Sequence, residues 1–574
     1  VPKDRSTESR APLMSDQRAR PLILQSDMTV MLEVAHPEFD GLRSTLGSFA
    51  DLEKSPEHIH TYRITPLSIW NAASAGVPLD VIREFLVENS KYEIPQNLLF
   101  QVEELYSRYG RLVLRLDEDD PARIILESDD PLILTEAVTS KRIAPFITGT
   151  VSERAVTINP AWRGFIKKEF IDLGYPVRDE AGYRDGAGFS FSLREQAATG
   201  KPFGLREYQI RSVERFWEAG KNTGGCGVIV LPCGAGKTIV GMAVMHRYQC
   251  QTLILTTNIV ALRQWKNELL DKTDIPMEMI GEYSGDSKEV RPVTIATYNI
   301  LTWRRDKESD FEHFGLFMQN DWGLIIYDEV HLLPAPVFRV TAELQSRRRL
   351  GLTATLVRED GLEKDVFSLI GPKKYDVPWK DLEKKDWIAK AVCHEIRVEM
   401  ARDLRMTYVA SDEREKFRLA SENPAKLDVI EKLLVRHADE NVLIIGQYLE
   451  QLDIVARTFS LPVITGATPV PQREQLYRDF REGRVPVLVV SKVANFAIDL
   501  PDASVAIQIS GTFGSRQEEA QRLGRILRPK GGSNEAVFYT VITRASKEQQ
   551  FASNRQLFLT EQGYSYTIEN WQPT

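Results

Sequence analysis

The residues Pro232-Cys233-Gly234-Ala235-Gly236-Lys237-Thr238 follow the apolar run Val228 to Leu231 and precede an apolar helical pattern opening Ile239-Val240. Glycines let main-chain N–H groups approach an anion closely, and a helix start adds its own unpaired N–H groups. Lys237 can reach outer phosphates and Thr238 can bind magnesium, so the string reads as a phosphate-binding loop. Leu231 stands where the strict pattern has its first glycine. A glycine-rich turn with an incidental lysine is the competing reading, and the strand before and helix after disfavour it.

A second chemical string, Asp328-Glu329-Val330-His331, follows the apolar run Leu324 to Tyr327. A carboxylate at the tip of a parallel strand can hold magnesium while its neighbour polarises an attacking water, as in nucleotide hydrolases. Without the strand the pair would be an ordinary solvated loop. The next strand delivers Thr353-Ala354-Thr355, and far downstream Gln521-Arg522-Leu523-Gly524-Arg525-Ile526-Leu527-Arg528 puts Arg525 and Arg528 three apart, on one face of a helix. Facing a nucleotide across a cleft they would act as arginine fingers; facing water they would be a basic helix surface.

The elements that must position these groups are short apolar strands alternating with helical patterns. Val228 to Leu231, Leu253 to Thr256, Thr294 to Ala296, Leu324 to Tyr327 and Leu350 to Leu352 predict one parallel sheet. Val442 to Ile445, Val463 to Thr465, Val487 to Val490 and Val505 to Ile509 predict another. Two consecutive α/β domains follow. Ahead of them, Gly186 to Gly204 has the glycine and Lys-Pro content of a linker. From Thr65 to Leu116 the pattern is three helices and a strand: Thr65 caps and Pro66 opens the first. Val81, Ile82, Phe85 and Leu86 bury the second, and Leu98, Val102, Leu105 and Tyr109 the third, before Gly110 breaks the chain. That is compatible with a winged-helix-like module or a protein-docking domain. A unit from Pro131 to Tyr183 mixes short strands, such as Ile143 to Ile147, with a helix at Trp162 to Leu173, and its role is not legible from pattern.

At 574 residues and 43 % apolar content the chain supports several cores. A net charge of -8 removes any whole-molecule attraction to nucleic acid, so a DNA track must be a local basic groove. Cys226, Cys233, Cys250 and Cys393 lack the spacing of zinc or iron-sulfur ligands. No apolar run is long enough to span a bilayer, and Val1 to Arg20 reads as a polar arm rather than a signal. A cytoplasmic protein is expected.

In order, these strings resemble helicase superfamily 2, and in detail the XPB family of DNA-repair helicases, over nearly the whole chain after the first twenty or so residues. Leu205-Arg206-Glu207-Tyr208-Gln209 resembles the adenine-side motif, which implies Arg206 and Gln209 as base contacts. Asp328 to His331 resembles the DEVH form of motif II. Gly351 to Gly361 contains Arg358, Glu359 and Asp360 where the family has its strand-separating RED element. Ile464 to Thr468 and Ser491 to Pro501 resemble motifs IV to V, with Asn495 where relatives often carry an acid. Gln521 to Arg528 resembles motif VI, and Gln562 to Ser565 the closing segment. Ile64 to Ile69 with Tyr109-Gly110 looks like the family's N-terminal domain, and Leu173 to Val177 like its damage-recognition domain.

The resemblance implies an α/β fold of two tandem RecA-like P-loop motor domains, preceded by a small winged-helix-like α+β domain and a mixed α/β damage-recognition-like domain. The expected boundaries are an arm over 1–20, then 21–117, 118–197, 198–375 and 376–574. It further implies ATP and Mg2+, 3′ to 5′ polarity, DNA-stimulated hydrolysis, and a prokaryotic-type, nucleoid-associated relative with a short thumb near Ser411 to Asn423. The candidate DNA-binding or coupling residues are Thr297, Tyr298, His331, Thr353, Thr355, Arg358, Glu359 and Asp360. A duplex translocase that does not unwind, or an ATP-driven switch opening DNA for a partner nuclease, are the alternatives.

Overall fold

A computed structural model describes residues 20–572 apart from 55–57, 118, 121–122, 222–223, 233, 307–311, 314, 345–346, 355–362, 378, 492–502, 512–518, 520–521 and 524–533. Gly110, at φ 87°, ends the helix Gln96–Arg108 in a left-handed conformation that only glycine adopts freely. The chain divides into two compact units between Gly110 and Arg111.

In the first unit, β1 (Leu22–Leu24), β2 (Thr29–Glu33), β3 (Asp51–Lys54) and β4 (Ile59–Arg63) form an antiparallel sheet in the order β1-β2-β4-β3. These strands have three to five residues and mixed polarity, too little pattern to be read in advance. The three expected helices are Pro66–Ser74, Leu79–Asn89 and Gln96–Arg108. Thr65 and Ser68 form the reciprocal cap of the first. Ile82, Leu86, Leu98 and Val102 reach the core, whereas Val81 is exposed.

The strand expected to complete that module instead opens the next. β5 (Leu112–Leu116) gives its hydrogen bonds to β6 (Ile124–Ser128) and β9 (Val177–Asp179), in a sheet with β7 (Ile147–Ser152) and β8 (Ala155–Ile158) ordered β7-β8-β6-β5-β9. The structure divides at 110/111, ahead of the expected boundary at 117/118. Pro145 cannot donate to a ladder, so Ala144–Phe146 makes a tight turn and the strand expected over Ile143 to Ile147 starts only at Ile147.

Gly186 to Gly204 is not a free linker. The main-chain N–H groups of Ala187, Phe189 and Arg194 donate to the carbonyls of Asp321, Gln249 and Lys272. Phe191 is buried in the core of the α/β domain that follows, and its main chain exchanges two hydrogen bonds of 2.9 Å with the Gln249 side chain. The segment is a strap fastened to that domain, which a boundary at 197/198 would cut.

Two all-parallel seven-stranded sheets follow. The first contains β10 (Cys226–Val230), β11 (Thr252–Thr256), β12 (Ile280–Tyr283), β13 (Val293–Thr297), β14 (Leu324–Asp328), β15 (Arg348–Thr353) and β16 (Lys373–Asp376), in the order β12-β13-β11-β14-β15-β10-β16. The second contains β17 (Lys390–Val398), β18 (Val442–Ile445), β19 (Val463–Ile464), β20 (Val487–Val490), β21 (Val505–Gln508), β22 (Glu535–Thr543) and β23 (Tyr566–Asn570), in the order β19-β20-β18-β21-β22-β17-β23. Counting each set from its own first strand, both orders read 3-4-2-5-6-1-7. Among the described strands the duplication is topological and extends over both sheets. Between β17 and β18, the helix Glu413–Ser421, capped by Asp412, occupies the region expected as a short thumb, and the helix Arg402–Ala410 precedes it.

Candidate active site

In the first parallel sheet Val230 lies in register with Thr353 and Asp328 with Leu352. The loop after β10, the acid pair after β14 and the end of β15 therefore leave the sheet side by side at its carboxyl edge, where α/β proteins bind ligands. Gly234 and Gly236 take φ of 79° and 78°. Gly236 is required by its φ, and a Cβ there would also lie 2.8 Å from Gln209 Nε2 and displace that amide. Lys237 and Thr238 then open the helix Lys237–Tyr248, in the first turn where main-chain N–H groups are unpaired.

Lys237 Nζ stands 3.4 Å from Glu329 Oε1. Glu329 sits at φ 50°, a left-handed turn, and its other carboxylate oxygen lies 3.5 Å from His331 Nδ1. Burial raises the Asp328 carboxyl, and the adjacent Glu329 charge adds to the rise, which Trp265 and Lys237 oppose. Burial also pushes Glu329 upward, but Lys237, His331 and the Ala354 main chain outweigh it and leave that carboxyl below its usual range. Among the described residues Glu329 Oε2 is buried and has no hydrogen-bond partner, an acceptor left over for a water. A helix start with its main-chain N–H groups, a lysine, a hydroxyl and two carboxylates fit a magnesium nucleotide.

His331 Nδ1 and Thr353 Oγ1 are 2.7 Å apart, so these two coupling candidates are joined directly. Gln209 also reaches the site: its Nε2 donates to the Ala235 carbonyl at 3.1 Å and its Oε1 accepts from the Arg206 main-chain N–H at 2.9 Å. The Arg206 guanidinium donates to the Trp387 carbonyl at 3.2 Å, in the segment between the two sheets.

Two of the DNA-binding or coupling candidates lie inside the domain. Tyr298 is buried, with its hydroxyl donating to the Asp328 carbonyl at 2.9 Å, which ties it to the acid pair. Thr297 is buried too and caps the turn Tyr298–Leu301. The sequence put both at a strand end without revealing that the turn folds back over the acid pair. Thr355, Arg358, Glu359, Asp360, Gln521, Arg525 and Arg528 lie outside the described residues.

Two contacts escaped the sequence reading. Tyr208 donates to the Ala235 carbonyl at 2.5 Å, and the Trp265 indole N–H donates to Asp328 Oδ2 at 2.9 Å. Tyr208 lies inside the adenine-side string. Trp265 looks like one more apolar position on its helix, and only the tertiary fold reveals its partner.

The family model described as ERCC3/RAD25/XPB C-terminal helicase matches residues 382–572. One described as type III restriction enzyme, res subunit, matches 202–358, and one described as helicase conserved C-terminal domain matches 22–151, at the front of this chain. A DNA 3′-5′ helicase XPB of Kineococcus radiotolerans is 52 % identical over 548 residues, 96 % of either chain. The chain belongs to the XPB helicase family. Another XPB, from Mycobacterium tuberculosis, is 51 % identical over 96 % of this chain and 98 % of its own. A general transcription and DNA repair factor IIH helicase/translocase subunit XPB of Enterocytozoon bieneusi is 32 % identical over 95 % and 92 %. The chain is thus of the bacterial XPB type. Among its described residues no helix is long and apolar enough to cross a membrane.

Proposed function

We propose that this chain is an ATP-dependent 3′-5′ DNA helicase acting in DNA repair, with both parallel sheets as RecA-like motor domains. The observation that carries the reading is the convergence of Lys237, Asp328, Glu329 and the His331–Thr353 pair at one sheet edge. Membership of a family whose relatives are named as DNA 3′-5′ helicases supports it.

Lys237 holds the outer phosphates, Thr238 and Asp328 hold magnesium, and Glu329 orients the attacking water and takes up its proton charge. When bound, magnesium neutralises charge that develops on the phosphates. Arg206 and Gln209 recognise the base, and Gln521, Arg525 and Arg528 complete the site from the second motor. The pair His331–Thr353 carries the state of the site to the Arg358-Glu359-Asp360 element, which separates strands. The front modules engage distorted DNA, and any cleavage belongs to a partner nuclease.

The test is ATP hydrolysis with and without single-stranded, duplex and forked DNA, for wild type and Glu329→Gln, beside strand displacement on a 3′-tailed fork. DNA-stimulated hydrolysis and unwinding, both lost in the variant, are expected. Because one relative is named helicase/translocase, displacement is scored separately: stimulation without displacement would replace unwinding by duplex translocation, and absence of hydrolysis on every DNA would overturn the motor assignment.

A further inference from the structure

Trp265 is almost completely buried, and its ring lies between the phosphate-loop helix and the acid pair. A Cβ on Gly241, in the middle of the helix Lys237–Tyr248, would come within 2.4 Å of the ring and 3.4 Å of Leu352 on β15. Glycine is therefore what lets the indole sit this close. The ring belongs to the helix Ile259–Lys272, which Asn258 caps and which buries Ala261, Leu262, Trp265 and Leu269 on one side. Its N–H does not end on a core carbonyl but on a carboxylate oxygen, Asp328 Oδ2, at 2.9 Å. The other oxygen, Oδ1, receives the Glu329 main-chain N–H at 3.1 Å, and the Asp328 carbonyl receives the Tyr298 hydroxyl.

A strand-tip carboxylate can rotate about its side-chain bonds, and each rotamer offers a metal a different oxygen in a different direction. Two N–H donors, one on each oxygen, leave a single orientation. We infer that Trp265 is a positioning residue for the magnesium site: its indole N–H fixes the Asp328 carboxylate so that a lone pair meets the ion without a search. The inference rests on the magnesium role proposed for Asp328. A buried indole usually finds some hydrogen-bond partner, so the bland alternative is a tryptophan that only fills the core. The two differ in what they do to metal affinity, because outer partners of metal-holding side chains typically contribute about 10- to 100-fold in affinity or activity.

The experiment uses the full chain. Mn2+ uptake by the ADP-loaded protein is read from the electron paramagnetic resonance signal of free Mn2+, for wild type, Trp265→Phe and Asp328→Asn. A fourth sample carries benzothienylalanine at position 265, which keeps the bicyclic ring and lacks only the N–H, so a fold is available even where phenylalanine leaves a void. Both changes at 265 are expected to weaken Mn2+ binding about tenfold, with ADP affinity in EDTA unchanged. In turnover, the Mg2+ concentration for half-maximal hydrolysis rises by a similar factor while the rate at saturating Mg2+ changes little. Wild-type Mn2+ affinity with benzothienylalanine, while Asp328→Asn loses uptake, would overturn the inference and leave the magnesium site standing. Wild-type affinity in Asp328→Asn would remove the site and the inference together.

Discussion

Asp328 and Glu329 are adjacent carboxylates that the fold drives in opposite directions. A left-handed turn at Glu329 sends one toward Lys237 and His331, while the other stays under the Trp265 indole. One acid is thus held ready for a cation and the other is kept ionised for a water, a division of labour that like neighbours could not achieve in a common environment. Tyr298 belongs to the same assembly from below. Tyr298→Phe deletes a hydroxyl that donates to the Asp328 carbonyl without disturbing the packed ring, so it should cost about 1 kcal/mol of stability. It should also slow hydrolysis with DNA affinity unchanged. Single-strand binding by fluorescence anisotropy checks the second half, and a severalfold loss of DNA affinity would place Tyr298 on the DNA track.

At the scale of elements, buried charges lock the second α/β domain. Lys426, at the start of one helix, lies 2.7 and 2.9 Å from the two carboxylate oxygens of Glu548, at the start of another, and donates to the Ile509 carbonyl at the end of β21. Both side chains are fully buried. Lys426→Met leaves an uncompensated carboxylate and should destabilise this domain by about 3–5 kcal/mol, while the double change with Glu548→Leu recovers much of that loss. Chemical denaturation of the three variants is the measurement. Nothing in the sequence announced this pair, because its members are 122 residues apart and each reads as an ordinary surface residue of an amphipathic helix. What was legible had a local signature: β10, β11, β14 and their counterparts are apolar runs, and the phosphate loop and acid pair follow them directly. The strands β16, β17 and β23 carry polar or charged residues such as Lys373, His394, Glu395 and Glu569, so their pattern was not strand-like until their partners were known. The same reason hid the contacts of Trp265 and Tyr298: their partners come from other strands.

At the scale of the whole molecule, acid and salt act on different parts. In the first unit His60 is buried, packs edge-on against Phe39, and has among the described residues no partner on Nδ1. Burial, with Arg43 adding to it, holds its pKa down at about 4. A base depressed on folding leaves stability untouched above its unfolded pKa near 6.5. Below that the unfolded chain takes up the proton first, so stability falls from about pH 6.5 to about pH 4, by up to about 3 kcal/mol. The hydrogen-exchange protection factors along β2 and β4, corrected for the intrinsic rate at each pH, should fall over that window in wild type and not in His60→Leu. Salt tests the other part. With a net charge of -8, DNA is expected to be held by a local basic groove, whose counterion release would make affinity fall linearly on a log-log plot against salt. DNA affinity measured from about 50 to 200 mM salt should decline in that way, and a flat dependence would exclude a phosphate-tracking groove.

The strap of Gly186 to Gly204 changes how the protein can be taken apart. A fragment begun at residue 198 keeps every strand of the first parallel sheet and the entire phosphate loop, and by composition alone it is the natural place to cut. It also discards Phe191 and both of the hydrogen bonds that pin the far end of the phosphate-loop helix through Gln249. Inactivity of such a fragment would report an unplugged core, not a contribution of the front modules to catalysis, whereas a cut between Gly110 and Arg111 removes the first unit and leaves the strap, Tyr183 on Cys226 and Phe165 in place.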